Sequence, residues 1–378
     1  MIYLDNAATA GTRPQKVKEA VMNAMENSGN PGRSSHGRAL NASRTVYGAR
    51  KALARLLNAE SPQCIAFTYN ATMSLNTAIK GILSPGDHCI TSVMEHNSVL
   101  RPLYELEADG LQISFAGCDD KGRLDCSGIF SSVKKNTKAI VLTHGSNLTG
   151  VVNDIRSVGR FARNNGIVFI VDAAQTAGIL DIDVKDMNID VLCFTGHKGL
   201  FGPQGTGGLY VREGIRIKPF VTGGSGTSSY DRKHPEEMPQ ALEAGTVNSH
   251  GLAGLAAGAE YAAENIENIR RKELELTFMF YNLVKDIEGV TVYGDFTSSE
   301  RCPVVSINIC DYDSSEVGDV LETEFGIAVR PGAHCAPLMH KALGTSERGA
   351  VRFSFSHFNT EEEIRKAAEA VREIARQE

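Results

Sequence analysis

Lys198 stands in Phe194-Thr195-Gly196-His197-Lys198-Gly199, directly behind the apolar run Val191-Leu192-Cys193-Phe194. Asp172 closes a second apolar run, Ile167-Val168-Phe169-Ile170-Val171, and Cys335 stands alone in Val329-Arg330-Pro331-Gly332-Ala333-His334-Cys335. These are three different reagents: an amine that can form a Schiff base, a carboxylate that can hold a proton on an aromatic ring nitrogen, and a thiol that can take up a sulfur atom. Each alone has a plainer explanation. Lysine is mostly a solvated surface residue, an Asp after a strand mostly caps the next helix, and a single cysteine is mostly a small buried hydrophobe.

Further polar residues also follow apolar runs, and in open α/β sheets ligands sit beyond the carboxyl ends of strands. Gln175 follows Asp172 and can donate to a phenolic oxygen. Thr195 and His197 flank Lys198 and can hold a phosphate, as can Thr72 in Asn70-Ala71-Thr72-Met73, where the run from Ile65 meets a helical segment. His96, in Glu95-His96-Asn97, can stack on a flat ring, and Asn147, in Ser146-Asn147-Leu148-Thr149-Gly150, can reach the same ring. Arg352, flanked by Val351 and Phe353, can take a carboxylate bidentately or serve a structural ion pair. One aromatic phosphate ligand would account for the strand-end residues among these, and pyridoxal phosphate is the ligand expected. Arg330 and His334 are expected to favour the thiolate of Cys335, and glycine is expected to let its loop swing over the cofactor. Cys302, between Arg301 and Pro303, is the competing thiol. No Walker sequence and no G-x-G-x-x-G is present, which disfavours nucleoside triphosphates and nicotinamide dinucleotides.

The elements that must carry these residues read as an α/β fold. Val17, Ala20, Val21, Ala24 and Met25 recur at helical spacing after Pro14, and a second helical stripe runs through Val46, Ala49, Leu53, Leu56 and Leu57, after the glycine-containing Asn30-Pro31-Gly32-Arg33. Short apolar runs at Ile65, Cys89, Ile113, Ala139, Ile167 and Val191 then alternate with helical segments, as the strands of a covered parallel or mixed sheet do. The glycines from Gly196 to Gly208 read as one loop, and Gly223 to Ser229 as a flexible stretch. A long helix begins near His250, a strand follows at Val304 to Asn308, and Thr360 with Glu363 forms a capping box ahead of a final helix.

The 378 residues, 42% hydrophobic and 22% charged, suit a globular chain with two domains or one large α/β domain with an appendage. A net charge of -6 offers no basic face to nucleic acid, no apolar run approaches membrane-spanning length, and the first residues lack the character of a signal peptide, so a cytoplasmic location is expected. The eight cysteines contain no C-x-x-C pair, so neither a disulfide framework nor a tetrathiolate metal site is expected.

At this level the chain resembles class V aminotransferase-fold enzymes, and among them cysteine desulfurases, in particular the group of SUF-type desulfurases and selenocysteine lyases. The motifs that carry the resemblance run in order along nearly the whole chain: Tyr3-Leu4-Asp5-Asn6-Ala7-Ala8, Asn70-Ala71-Thr72, Glu95-His96-Asn97, Val171-Asp172-Ala173-Ala174-Gln175, Thr195-Gly196-His197-Lys198, Glu243-Ala244-Gly245-Thr246-Val247-Asn248, Arg330-Pro331-Gly332-Ala333-His334-Cys335, and Arg352 ahead of Phe358-Asn359-Thr360. The resemblance implies a fold-type I pyridoxal-phosphate-dependent transferase: a large domain, 16–250, with a seven-stranded, mostly parallel sheet, a smaller α+β C-terminal domain, 251–378, carrying the Cys335 loop, and an N-terminal arm, 1–15, packing with the small domain.

It further implies a homodimer in which Lys198 forms the Schiff base, Asp172 meets the ring nitrogen, Gln175 the ring oxygen, and His96 stacks on the ring. Thr72, Thr195 and His197 would bind the phosphate, with Thr246 supplied by the partner subunit. Asn147 and Arg352 would hold the substrate carboxylate, His36 would line the site, and Cys335 would take the sulfur of L-cysteine for a sulfur-acceptor or scaffold protein. Selenocysteine lyase activity on L-selenocysteine, or a class V aminotransferase or β-eliminating lyase, are the alternatives. Ala333 stands where related desulfurases often have a second histidine, and the segment from Gly223 to Pro239 is shorter than the hairpin of the SUF-type group.

Overall fold

The computed structural model describes residues 1–32, 35–227 and 229–377, so Arg33 and Ser228 of the two glycine-rich stretches lie outside the described residues. In chain order, β1 (Ile2–Tyr3), α1 (Gln15–Asn27) and α2 (Gly37–Leu56) precede β2 (Ile65–Thr68), α3 (Ala71–Ile82), β3 (His88–Ser92), α4 (Asn97–Ala108), β4 (Gln112–Ala116), α5 (Cys126–Ser131), β5 (Thr137–Thr143), α6 (Ile155–Asn164), β6 (Val168–Asp172), β7 (Val191–Thr195) and β8 (Gly207–Val211). The second half continues with α7 (Ser249–Val284), β9 (Val290–Tyr293), β10 (Val304–Ile309), α8 (Ser314–Thr323), β11 (Ile327–Ala328), β12 (Arg330–Gly332), α9 (Pro337–Ala342), β13 (Ala350–Ser354) and α10 (Glu361–Ala375).

Strands β2 to β8 form a seven-stranded sheet among the described residues, in the order β2-β8-β7-β6-β5-β3-β4. Only β8 runs antiparallel to its neighbours there. Both faces are dry, as βαβ crossovers require: Ile140, Leu142, Phe169 and Leu192 face one core, while Ala139, Val141, Ile170 and Val191 alternate into the other. The functional strand ends therefore lie along one edge, each followed by a loop or a helix start.

Strand β8 corrects the reading of the glycines from Gly196 to Gly208 as one loop, because Gly207 and Gly208 pair with β2 and β7. A side chain at Gly208 would strike the Phe194 ring and the Ala66 carbonyl, so close packing, not a turn, requires glycine there. Helix α2 also starts earlier than its apolar stripe implies. Its first two turns bury only Ala39 and Ala42, which leave no hydrophobic signature.

The second unit is a four-stranded antiparallel sheet among the described residues, ordered β12-β13-β10-β9, whose core gathers Phe280, Val305, Ile307, Phe353 and Ile364. Strand β1 joins this side of the molecule by pairing in parallel with β11, and Leu4 enters the same core. Helix α7 packs on α1 and α2 along one stretch and on α10 and β10 along another. The expected capping box at Thr360 and Glu363 starts α10.

Candidate active site

Strand β6 ends on Asp172, whose buried carboxylate Oδ1 accepts from the Ala174 amide at 2.9 Å. Burial raises its proton affinity above the usual carboxylate range, against the Ala174 amide and then the neighbouring Lys198 ammonium, which pull it down. Strand β7 ends on Thr195, and the chain then turns through Lys198, with Gly202 N donating to Gly196 O at 2.7 Å and Phe201 N to Lys198 O at 2.9 Å. Helix α7 backs this turn. Gly258 allows it in, since a Cβ there would collide with the Leu200 carbonyl. Lys198 is held down to about 8, first by burial, then by the positive charge of Arg352, with Asp172 opposing.

At the neighbouring strand ends, Asn70 caps α3 by accepting from Met73 N at 2.9 Å, and Thr72 Oγ1 lies 2.7 Å from Ser98 Oγ. His96 caps α4. Its Nδ1 accepts from Ser98 N at 3.0 Å and lies 2.9 Å from Ser98 Oγ, so the ring proton belongs on Nε2. Burial, then Lys198 and three arginines, push His96 down to about 4, and the ring is neutral at pH 7.

Asn147 and Arg352 arrive from opposite units and meet: Arg352 Nη1 donates to Asn147 O at 3.1 Å, while Nη2 pairs with Asp5 Oδ1 at 2.8 Å. Arg352 thus already has an ion-pair partner, and its Nε has no partner among the described residues. Gln175 uses one N–H on Ala7 O at 3.2 Å, and it lines a narrow cavity with Lys198.

Cys335 is exposed, and its loop is tied down. Asn97 N, beside His96, donates to Cys335 O at 2.7 Å, and Asn147 Nδ2 donates to His334 O at 2.7 Å. Two expectations about the thiols change. His334 is buried and driven down to about 3, mainly by desolvation, so it is neutral and lends the thiol no charge. Cys302 is fully buried beside Gln175 O, and burial pushes its thiol up to about 12, which removes it as a competing nucleophile. Thr246 and His36 are exposed and hydrogen-bond to none of these groups. Thr246 lines an open cleft with Tyr47, Arg50 and Glu243, and His36 Nδ1 caps α2 by accepting from Ala39 N at 3.3 Å.

Two buried polar atoms beside Lys198, Thr195 Oγ1 and His197 Nδ1, have no hydrogen-bond partner among the described residues. Buried polar groups are nearly always partnered, so an anionic group carried by a ligand fits here. With a buried carboxylate, a half-buried amine of lowered proton affinity and a neutral imidazole around the same point, the residues fit pyridoxal phosphate.

A family model for aminotransferase class-V matches residues 2–366. The chain belongs to the class V aminotransferase family. Members of this family use pyridoxal phosphate. A probable cysteine desulfurase of Methanothermobacter thermautotrophicus is 34% identical over 99% of this chain and 94% of its own length. The cysteine desulfurase IscS of Vibrio campbellii is 34% identical over 98% of this chain and 92% of its own. Among solved structures, the apo cysteine desulfurase of Thermococcus onnurineus NA1 matches with a TM-score of 0.93 at 34% identity, covering 100% of this chain and 95% of that one.

In this class V aminotransferase-family chain, sequence reasoning passed over three residues that support the site. Ser98 links Thr72 to His96, Asp5 holds Arg352, and the Ala7 carbonyl holds Gln175. Ser98 had a signal, since a polar residue two places after a helix-capping histidine falls within reach of its ring. Asp5 and Ala7 had none beyond membership of the amino-terminal motif.

Proposed function

We propose that this protein is a cysteine desulfurase, which removes sulfur from L-cysteine, releases L-alanine and keeps the sulfur as a persulfide on Cys335. The observation that carries the reading is the junction of two sites in one place: the Lys198–Asp172–His96 group, and an exposed thiol whose own carbonyl is bonded to the residue after His96. The names of the relatives agree with it.

Bound pyridoxal phosphate would supply an electron sink for the charge left at the substrate α-carbon. Lys198 is the attachment amine, and its lowered proton affinity suits it to carry the α-proton near neutral pH. Asp172 would keep a proton on the ring nitrogen, Gln175 would donate to the ring oxygen, and His96 would lie on the ring face with its proton on Nε2. Thr72, Thr195 and His197 would hold the phosphate, and Asn147 and Arg352 the substrate carboxylate. His36 would line the mouth.

In the sulfur step, the Cys335 thiolate attacks the substrate sulfur. The new S–S bond takes the place of the Cβ–S bond, whose electron pair stays with Cβ. Protonation there, with return of the α-proton to Cα, gives alanine, so no outside oxidant is needed. We place the boundary between large and small domains near residue 250, with residues 1–15 as an arm on the small domain, and we read the enzyme as a cytoplasmic homodimer in which exposed Thr246 completes the partner's phosphate site. A separate acceptor or scaffold protein would remove the persulfide sulfur.

Incubation with L-cysteine, followed by assay of alanine and mass spectrometry of the Cys335 peptide, tests the proposal. Equal early yields of alanine and Cys335 persulfide are expected. Alanine with unmodified Cys335 would remove the thiol from the mechanism.

A further inference from the structure

The loop that presents Cys335 has an unusual backbone: His334 and Cys335 follow one another with φ of 50° and 55°. Left-handed conformations are uncommon for residues other than glycine, and two in succession persist only where the surroundings hold them. Part of the hold comes from the Asn147 and Asn97 contacts to the two carbonyls. The rest comes from α9 and the turn that follows it.

There the His334 ring stacks on the His340 ring of α9, with centroids 5.6 Å apart and planes 7° from parallel. His334 Nε2 lies 2.8 Å from Arg330 O, His334 Nδ1 lies 3.4 Å from His340 Nε2, and His340 Nδ1 lies 2.7 Å from Thr345 Oγ1. All three side chains are buried. A carbonyl only accepts, so His334 must donate from Nε2 and accept at Nδ1. His340 then donates from Nε2, and its Nδ1 accepts the Thr345 hydroxyl proton. One arrangement of protons satisfies every atom, with both rings neutral, and burial lowers the proton affinity of both histidines in keeping with it.

We propose that His340 is a positioning residue for sulfur transfer: through His334 it locks residues 334 and 335 and thereby fixes the direction of the Cys335 thiol. The His340 ring hydrogen-bonds to His334 and Thr345, not to any residue assigned to substrate or cofactor. The proposal rests on Cys335 being the thiol that receives sulfur, and it assigns the aim of that thiol to the far end of a hydrogen-bond chain that starts at Thr345. The consequence is a loop that stays docked, so an acceptor must come to Cys335.

The test compares wild type, His340→Leu and His340→Gln in cofactor-loaded protein. Leucine removes the donor to His334, whereas the glutamine amide can supply an N–H at the position of Nε2. With His340→Leu, kcat for alanine and the rate of Cys335 persulfide formation are expected to fall by about tenfold to a hundredfold, because loss of reacting geometry has that scale. KM for L-cysteine stays the same, and hydrogen exchange in the peptide containing residues 333–337 becomes faster. His340→Gln restores both readouts to within about threefold. Unchanged exchange and unchanged kcat in a folded His340→Leu protein would overturn the proposal, as would a His340→Gln protein no better than His340→Leu. If His340→Leu does not fold, Thr345→Val, which removes only the terminal hydroxyl, decides in the same direction. Full alanine production by Cys335→Ala would instead remove the thiol reading, while the exchange comparison would still report on the lock.

Discussion

Lys198 binds its proton less tightly than an exposed lysine because it loses hydration and faces Arg352, and Asp172 only partly offsets this. Only the free amine reacts with an aldehyde, so the rate at which cofactor-free protein takes up pyridoxal phosphate should rise with pH and reach half its plateau near 8. Stopped-flow absorbance from pH 6.5 to 11.5 measures this, and a rise centred near the ordinary lysine value of about 10.4 would contradict the lowered affinity. Cys335→Ser should keep the absorbance of bound cofactor and lose the persulfide, with alanine formation falling at least about a hundredfold because the nucleophile is gone. Lys198 and Asp172 were legible in the sequence because each closely follows an apolar strand. The partners that orient the site were not. Asp5 meets Arg352 across 347 positions and Thr72 meets Ser98 across 26, and sheet order, which single-sequence spacing does not contain, makes those meetings. Burial was equally hidden, and it alone separates Cys302 from Cys335.

At the scale of elements, the site depends on how closely α7 approaches the turn after Lys198. A side chain at Gly258 would meet the Leu200 carbonyl, a backbone atom that cannot rotate away. Gly258→Val should therefore cost about 1–3 kcal/mol, the usual penalty for overfilling a packed contact, and cofactor occupancy should fall with it. Thermal unfolding and cofactor absorbance of purified protein check both, and a variant with wild-type midpoint and full occupancy would show that the turn tolerates displacement. The strands with continuous apolar runs were readable from sequence. Strand β8 was not, because Gly207 and Gly208 carry the mark of a turn while meeting the needs of close packing against Phe194 and Asn70.

Across the whole molecule, the first ten residues link the seven-stranded and four-stranded sheets, with Leu4 O accepting from Ser354 N of β13 at 2.7 Å. They pair with β11 through β1, hold Arg352 through Asp5, hold Gln175 through Ala7 O, and donate from Ala10 N to His197 O at 2.9 Å. Asp5→Asn weakens a charge-assisted contact on the guanidinium, so KM for L-cysteine should rise by about tenfold, with cofactor content unchanged. An unchanged KM would place substrate carboxylate recognition on other groups. The proposed chemistry depends on one covalent attachment. Borohydride reduction of the resting, cofactor-loaded protein, followed by peptide mapping, should place a pyridoxyl group on Lys198 and on no other lysine. A label elsewhere, or none in fully loaded protein, would contradict it.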